Sequence, residues 1–382
     1  MSMRGCIPLF VLAGCGGAWL AAPVLGDAAA PGDAAPAPAR WSLGYYATWA
    51  ATQYPVDDID WSGLTELAIA FYTPQPDGTL ELLGGDDALT AALVAAAHAH
   101  GVAAIASIGG ADSGMPFSQA TAGATRDSFV ANLAALVADV GFDGVDIDWE
   151  PLGNADEPVA IELADRLRAA VPGLLMTIAV GPVNQNVPPD LSGYPAIAAA
   201  FDQVDVMTYG MAGAWRGWPK SWHSSPMYRQ DAATPLSVDS TVRSYLAAGV
   251  PAGRLGIGIG FFGLCYSAPV TGPVQPLAGA TVIGDGDMPY ARIMTDYFAP
   301  SARTFDPLAH VPYLSFAAAH APDGCTYITY DDEESIAEKG AYVKSMGLGG
   351  VIVWELNEGY LPAAPAGAHN PLIGAIRDDV LN

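Results

Sequence analysis

Residues 143–150 read Asp-Gly-Val-Asp-Ile-Asp-Trp-Glu, an octapeptide in which apolar and acidic side chains alternate. In a β-strand, successive side chains point to opposite faces of the sheet. We therefore predict a strand with an apolar face and an acidic face, formed by Val145, Ile147 and Trp149 and by Asp146, Asp148 and Glu150 respectively. Carboxylates held this close raise one another's pKa, and bringing them together costs folding free energy. Their grouping therefore does not serve the stability of the fold. The octapeptide indicates acid/base chemistry.

Two other interpretations of the octapeptide are weaker. A solvated acidic surface is not usually interleaved with Val, Ile and Trp after an apolar stretch such as Leu133–Val140. A calcium loop needs oxygen ligands in a layout that is missing here, and Trp149 stands where such a loop needs a polar residue. We therefore expect neither a metal nor a cofactor at this site.

Short apolar or β-branched runs recur along the chain, with helical patterns between them. The predicted strands are Leu43–Thr48, Glu66–Tyr72, Val102–Ile108, Gly144–Trp149, Leu174–Val180, Val204–Tyr209, Leu255–Phe261 and Gly350–Glu355. The predicted helices include Ala88–His100, Arg126–Val140, Val159–Val171 and Ser237–Ala248. Alternating strands and helices of this number predict an α/β fold, the (β/α)8 TIM barrel, with function at the carboxyl ends of the strands.

The interval between the seventh and eighth predicted strands is longer than one helix with its loops requires. Residues 264–325 fill it and are bracketed by Cys265 and Cys325. We predict an elaboration over the site, within a catalytic barrel domain that spans residues 41–382. In an oxidising compartment the two cysteines can form a disulfide, worth about 4 kcal/mol in the chain-entropy model. Two free buried thiols are the alternative.

The N-terminal residues have the character of an export signal. Residues 1–26 combine one early basic residue with a short apolar run and then small residues, which resembles a signal peptide more than a transmembrane segment. Residues 27–40 are rich in Ala and Pro and predict an extended linker. The protein is expected to be secreted. An alternative reading of Leu12-Ala13-Gly14-Cys15 as a lipoprotein box would attach a lipid anchor to Cys15.

The charge balance excludes one class of partner. The chain has 40 acidic against 15 basic residues, a formal net charge of −25. Binding to nucleic acid needs clustered Lys and Arg to neutralise phosphates, so we expect no nucleic-acid partner. A neutral polymer is compatible with this charge, and we expect a monomer.

These motifs together resemble glycoside hydrolase family 18, the chitinases and chitinase-like proteins, over roughly residues 41–362. The octapeptide is similar to that family's Asp-x-x-Asp-x-Asp-x-Glu signature in full. Residues 107–110 (Ser-Ile-Gly-Gly) resemble its Ser-x-Gly-Gly motif on the third strand, and residues 207–209 (Met-Thr-Tyr) its sixth-strand motif. Trp354 resembles its eighth-strand tryptophan.

The resemblance implies hydrolysis that retains the configuration at the anomeric carbon. In this mechanism a group of the substrate is the nucleophile, whereas most retaining glycosidases use a protein carboxylate. Glu150 would be the general acid and base. Asp148 would hold the 2-acetamido group of the substrate, Asp146 would share a proton with Asp148, and Tyr209 would donate to the acetamido oxygen.

Other residues are expected to bind substrate or to shape the site. The expected substrate-binding residues are Tyr46, Phe71, Gly109, Gly110, Trp149, Met207, Trp218, Trp222 and Trp354. Asp143 and Ser107 are expected to be structural. One position departs from the family, which commonly has Asp directly after the tyrosine where this chain has Gly210. The pH optimum and the positioning of Glu150 therefore depend on other residues.

The leading hypothesis is a secreted glycosidase that cleaves β-1,4 bonds of N-acetylglucosamine polymers such as chitin or chito-oligosaccharides. An endo-β-N-acetylglucosaminidase acting on glycoprotein glycans is a second possibility. A non-catalytic chito-oligosaccharide-binding lectin on the same barrel is a third, although such lectins typically lose the acid that Glu150 retains here.

Overall fold

The structure is a computed structural model that describes residues 40–213 and 218–382. The predicted signal peptide (1–26), the predicted linker (27–40) up to its last residue, and Cys15 lie outside these ranges. None of the described helices is long and apolar enough to cross a membrane.

Within the described residues, eight parallel strands close into a barrel, which confirms the predicted (β/α)8 fold. We number them β1 (Trp41–Ala47), β2 (Glu66–Pro74), β3 (Ala103–Gly110), β4 (Gly144–Trp149), β5 (Leu175–Val180), β6 (Gln203–Val206), β7 (Leu255–Gly260) and β8 (Gly350–Trp354). Each strand pairs in parallel with the next, and β1 pairs with both β2 and β8. A short strand, Leu80–Leu82, pairs antiparallel with the end of β2 at the barrel mouth.

Strand β6 ends three residues before its predicted end at Tyr209. The Thr208 hydroxyl donates to the Gly258 carbonyl at 2.9 Å and accepts from the Gly258 N–H at 2.8 Å. The Thr208 side chain thus takes the hydrogen bonds of the Gly258 main chain in β7. If β6 continued to this position, its own main chain would make those bonds. The backbone is thereby released to carry Tyr209 and Gly210 into the barrel mouth.

Helices form the outer layer. They are α1 (Asp87–Ala99), α2 (Gly114–Ala120), α3 (Thr125–Val140), α4 (Glu157–Ala170), α5 (Tyr194–Ala200), α6 (Val238–Ala248), α7 (Tyr290–Arg292), α8 (Glu333–Met346) and α9 (Pro371–Ile376). In α3, Phe129, Leu133 and Val137 lie four residues apart and are buried on one face. That helix ends at Gly141, whose φ of 86° is left-handed, as is typical of a glycine at a helix C-terminus.

Shorter helical turns connect these elements. The 3-10 turns are Thr48–Ala50, Val56–Asp58, Trp61–Gly63, Ala252–Arg254 and Leu356–Gly359, and the π turns are Ile293–Tyr297 and Arg377–Leu381.

The predicted elaboration between β7 and β8 is an antiparallel sheet. Its strands are Leu264–Ser267, Val282–Ile283, Arg303–Asp306, Val311–His320 and Cys325–Thr329. The disulfide between Cys265 and Cys325 is present, with the two Cα atoms 5.5 Å apart. It joins the first and last of these strands, which also pair with each other through main-chain hydrogen bonds. We call this sheet with its loops the insertion.

Candidate active site

A cleft of about 870 Å³ opens at the carboxyl ends of the barrel strands, between the barrel and the insertion. Its lining combines aromatic and acidic side chains, which suits a sugar because apolar ring faces and polar hydroxyls are recognised together. The lining includes Trp49, Phe71, Asp112, Asp148, Glu150, Met207, Tyr209, Asp285 and Trp354.

Asp146 lies below the cleft, fully buried in the barrel interior. Its carboxylate accepts hydrogen bonds from the hydroxyls of Tyr45 at 2.9 Å, Ser107 at 2.7 Å and Thr177 at 2.7 Å. These donors come from β1, β3 and β5, whose inward-facing side chains meet at this level. Burial raises the pKa of Asp146, and the three hydrogen bonds counteract that rise because they stabilise the charged form.

Asp148 occupies the next inward position of β4 and lines the cleft floor with only 4% of its surface exposed. Its Oδ1 has no hydrogen-bond partner among the described residues. Burial raises the pKa of Asp148 well above its usual value, and the charges of Glu150 and Asp146 add to the rise. The side chain is therefore suited to hold a proton and to receive a donor from a ligand.

Glu150 is half-buried at the top of β4 and faces the cleft. Burial raises its pKa, as do the negative charges of Asp112 and Asp285. The Ser113 hydroxyl accepts from the Glu150 N–H and donates to the Asp148 carbonyl, both at 2.9 Å. That bridge fixes the backbone between the two carboxyl groups.

The end of β3 passes very close to β4. Gly109 has a φ of 115°, and a Cβ there would lie 2.1 Å from the Asp148 carbonyl oxygen, so only glycine fits. A Cβ on Gly110 would meet the Phe71 ring at 2.7 Å. Gly109 lines the cleft, whereas Gly110 supports Phe71 and is not part of the lining.

Aromatic side chains form one wall and the floor of the cleft. Trp354 stacks on Phe71 with ring centroids 5.4 Å apart and meets Tyr45 edge-on at 5.7 Å. Tyr209 packs edge-on against Phe262 at 5.9 Å. Burial and the surrounding carboxylates raise the pKa of Tyr209 well above its usual value, so its hydroxyl stays a donor.

The structure places four of the predicted aromatic sugar contacts outside the cleft lining. Tyr46 points away from the barrel axis, and its hydroxyl donates to the Tyr54 carbonyl at 2.6 Å. Trp149 is on the apolar face of β4, stacked on Phe117 at 4.6 Å. Trp222 is fully buried, and Trp218 packs in the same apolar cluster beneath the insertion. All four lie outside the cleft lining because their faces are covered by protein.

Asp143 and Ser107 are found in supporting positions. Asp143 is at the start of β4, at the far end of the barrel from the cleft, and accepts from His98 and from the Ala104 N–H, both at 2.8 Å. Ser107 contacts Asp146 inside the barrel.

The sequence reasoning missed several residues of the site. Thr177 could have been found from strand alternation, since it pairs with Asp146 on the neighbouring strand. Tyr45 pairs with Ala68 and reaches Asp146 from across the barrel, which strand alternation alone does not reveal. Trp49, with 43% of its surface exposed, was visible as a rim aromatic. Asp112, Ser113 and Asp285 lie on loops whose course no periodicity predicts.

A closed parallel barrel with carboxylates and aromatic rings in a cleft at its strand ends defines a (β/α)8 barrel of the glycosidase class. The family model described as Glycosyl hydrolases family 18 matches residues 42–359. The chain belongs to this family of glycosidases.

Relatives of known identity agree with that assignment. Chitinase A1 of Niallia circulans is 32% identical over 66% of this chain, which covers 40% of that protein's length. A chitinase-like effector of Moniliophthora roreri is 26% identical over 87% of this chain and 91% of its own. The crystal structure of Ostrinia furnacalis Group IV chitinase shares the fold, with a TM-score of 0.75 and 24% identity over 90% of this chain and all of that one.

Proposed function

We propose that this protein is an exported glycosidase that cleaves β-1,4 bonds next to N-acetylglucosamine in chitin or chito-oligosaccharides. The observation that carries the proposal is the series formed by Asp146 and Asp148 on β4 and Glu150 directly after it, which ends in the cleft. The free Oδ1 of Asp148 supports it further, because a buried acceptor without a partner is costly unless a ligand supplies the donor.

In the first step the substrate's own acetamido group is the nucleophile. Its carbonyl oxygen attacks the anomeric carbon while the bond from that carbon to the glycosidic oxygen breaks. Glu150 donates its proton to the leaving oxygen. Asp148 accepts the acetamido N–H and stabilises the positive charge that develops on the ring and the amide.

In the second step water replaces the acetamido oxygen at the anomeric carbon. Glu150, now a carboxylate, takes a proton from the water as its oxygen attacks. The bond between the anomeric carbon and the acetamido oxygen breaks, which restores the amide. Two displacements at one carbon leave its configuration unchanged.

The remaining residues have supporting roles. Asp146 exchanges a proton with Asp148, so the two titrate as a pair. Tyr209 donates to the acetamido oxygen, Met207 packs beneath that group, and the Trp354 ring forms the floor for the reacting sugar. The Phe71 ring stacks on Trp354 and supports it.

The names of the relatives support this choice of substrate, since they include Chitinase A1 and a chitinase-like effector. Because the chain spans 40% of the length of Chitinase A1, the activity of that whole protein is carried over only as part of this proposal. The retained Glu150 favours an enzyme over a lectin.

One assay separates the proposed function from its two alternatives. Purified protein is incubated with colloidal chitin and, separately, with a mannose-rich glycoprotein. We expect soluble N-acetylglucosamine oligomers from chitin. Release of glycans from the glycoprotein alone would identify an endo-β-N-acetylglucosaminidase. Retention on chitin without any soluble product would identify a lectin.

A further inference from the structure

Asp285 is the acidic residue through which the insertion reaches the cleft. It follows the strand Val282–Ile283 and lines the cleft together with Glu150 and Tyr209. Protein atoms surround it and raise its pKa, but its side chain stays open to solvent at the cleft mouth. The side chain therefore faces both the solvent and the cleft.

Asp285 makes a direct contact with the aromatic floor. The indole N–H of Trp354 donates to Asp285 Oδ1 at 2.9 Å. Hydrogen bonds to an ionised acceptor are stronger than neutral ones. Stacking on Phe71 fixes the plane of the Trp354 ring, and this bond fixes its rotation within that plane.

The groups that face Asp285 are acidic. Glu355 and Glu358, which follow β8, are buried, and burial with the nearby Asp285 charge raises their pKa to about 8 and about 9. Both therefore carry a proton near neutral pH. Glu150 on β4 is the other carboxyl group affected, together with the Tyr209 hydroxyl.

Glu150 has its own set of neighbours. Asp148 lies beside it on β4, Asp112 approaches from the loop after β3, and Asp285 approaches from the insertion. Position 210, next to Tyr209, is a glycine, and among the described residues other than its chain neighbours no atom lies within 4 Å of where its Cβ would be. No carboxylate reaches Glu150 from that position.

We propose that Asp285 is a positioning residue of this active site, which holds the Trp354 indole against the reacting sugar and favours the proton-bearing form of Glu150. The inference rests on the proposed hydrolysis. It adds Asp285, which lies in the insertion and outside the barrel strands, to the residues of the active site.

Two substitutions separate the contact from the charge. Asp285→Asn keeps an oxygen that can accept the indole N–H but removes the charge. Asp285→Ala removes both. Kinetics with a chito-oligosaccharide tetramer across pH should show the alkaline limb of kcat moving down by about 0.5 to 1 pH unit in both variants. KM should rise at least about 5-fold in Asp285→Ala and change less than about 2-fold in Asp285→Asn.

Two further variants serve as controls. Trp354→Phe keeps a ring but loses the N–H, and should raise KM without moving the alkaline limb. Asp287→Asn removes an exposed charge two residues along the same loop, outside the cleft lining, and should match the wild type.

An unshifted alkaline limb together with an unchanged KM in both Asp285 variants would overturn the inference. A wild-type protein that hydrolyses nothing would instead count against the proposed function. In that case calorimetric binding of the same tetramer still tests the contact. A loss of at least about 5-fold in affinity for Asp285→Ala, with Asp285→Asn near wild type, supports it, and equal affinities overturn it.

Discussion

Asp146, Asp148 and Glu150 differ in their surroundings, and the difference assigns their roles. Asp146 is saturated with three hydroxyl donors, Asp148 has a free oxygen at the cleft floor, and Glu150 is half-buried at the cleft. A carboxyl group that must give up and recover a proton needs access to the substrate, which only the outermost one has in full.

Replacing Glu150 with Gln tests this assignment. The amide has nearly the same shape but no proton to donate, so turnover should fall by at least about 100-fold while oligosaccharide affinity stays within a few-fold. Initial rates on a soluble chito-oligosaccharide and calorimetric titration measure the two quantities. Turnover close to wild type would remove Glu150 from its role.

At the residue scale, the sequence predicted the acids well but the aromatic contacts poorly. The acids alternate with apolar residues in β4, so their common face follows from strand geometry. Tyr45 and Tyr46 are adjacent and both aromatic, so composition does not tell which one points inward. The structure places Tyr45 on Asp146 and Tyr46 on Tyr54.

At the scale of elements, all eight barrel strands were predicted from their apolar runs. Their ends were less predictable, as β6 shows, because the Thr208 side chain replaces a strand pairing. Trp218 and Trp222 were predicted to contact sugar, but they pack inward beneath the insertion. A loop rich in aromatic residues is compatible with either arrangement. Periodicity carries no information about such long-range packing.

A disulfide closes the insertion. Cys265 and Cys325 are separated by 60 residues, and their bond constrains the unfolded chain over that loop. We expect the double substitution to Ser to lower the free energy of unfolding by about 2–4 kcal/mol, measured by urea denaturation.

The wild-type protein under reducing conditions is the matched control and should lose a similar amount of stability. An unchanged urea midpoint in the double variant would show that the strand pairing alone holds the insertion.

At the scale of the whole molecule, the protein buries several acids that carry no countercharge. Burial raises the pKa of Glu66 to about 7, of Glu355 to about 8 and of Glu358 to about 9. In the unfolded chain these groups lose their protons near their ordinary values, about 4.3 for Glu. The folded protein therefore binds more protons than the unfolded chain between those two ranges.

The stability should consequently fall as pH rises. Because the unfolded chain binds fewer protons, the free energy of unfolding decreases with pH from about 4.5 until these folded-state pKa values are passed. We expect a loss of at least about 2 kcal/mol between about pH 5 and pH 8 by urea denaturation. Repulsion within a chain of net charge −25 acts in the same direction.

Two buried groups oppose this trend, because burial also lowers the pKa of Lys339 from its ordinary value of 10.5. Burial lowers the pKa of His223, so its uncharged form stabilises the fold as pH rises through about 6.5. A single histidine does not outweigh the three glutamates. A stability that rises steadily from pH 5 to 8 would contradict the protonated state of those glutamates.

In the proposed reaction, the acetamido group of the substrate performs the nucleophilic step beside Asp148. The most direct measurement compares two pentamers, one fully acetylated and one fully deacetylated, under identical conditions with product analysis by mass spectrometry. A free amine has no carbonyl oxygen to attack the anomeric carbon. We predict cleavage of the acetylated pentamer and none of the deacetylated one, and equal cleavage of both would contradict the account.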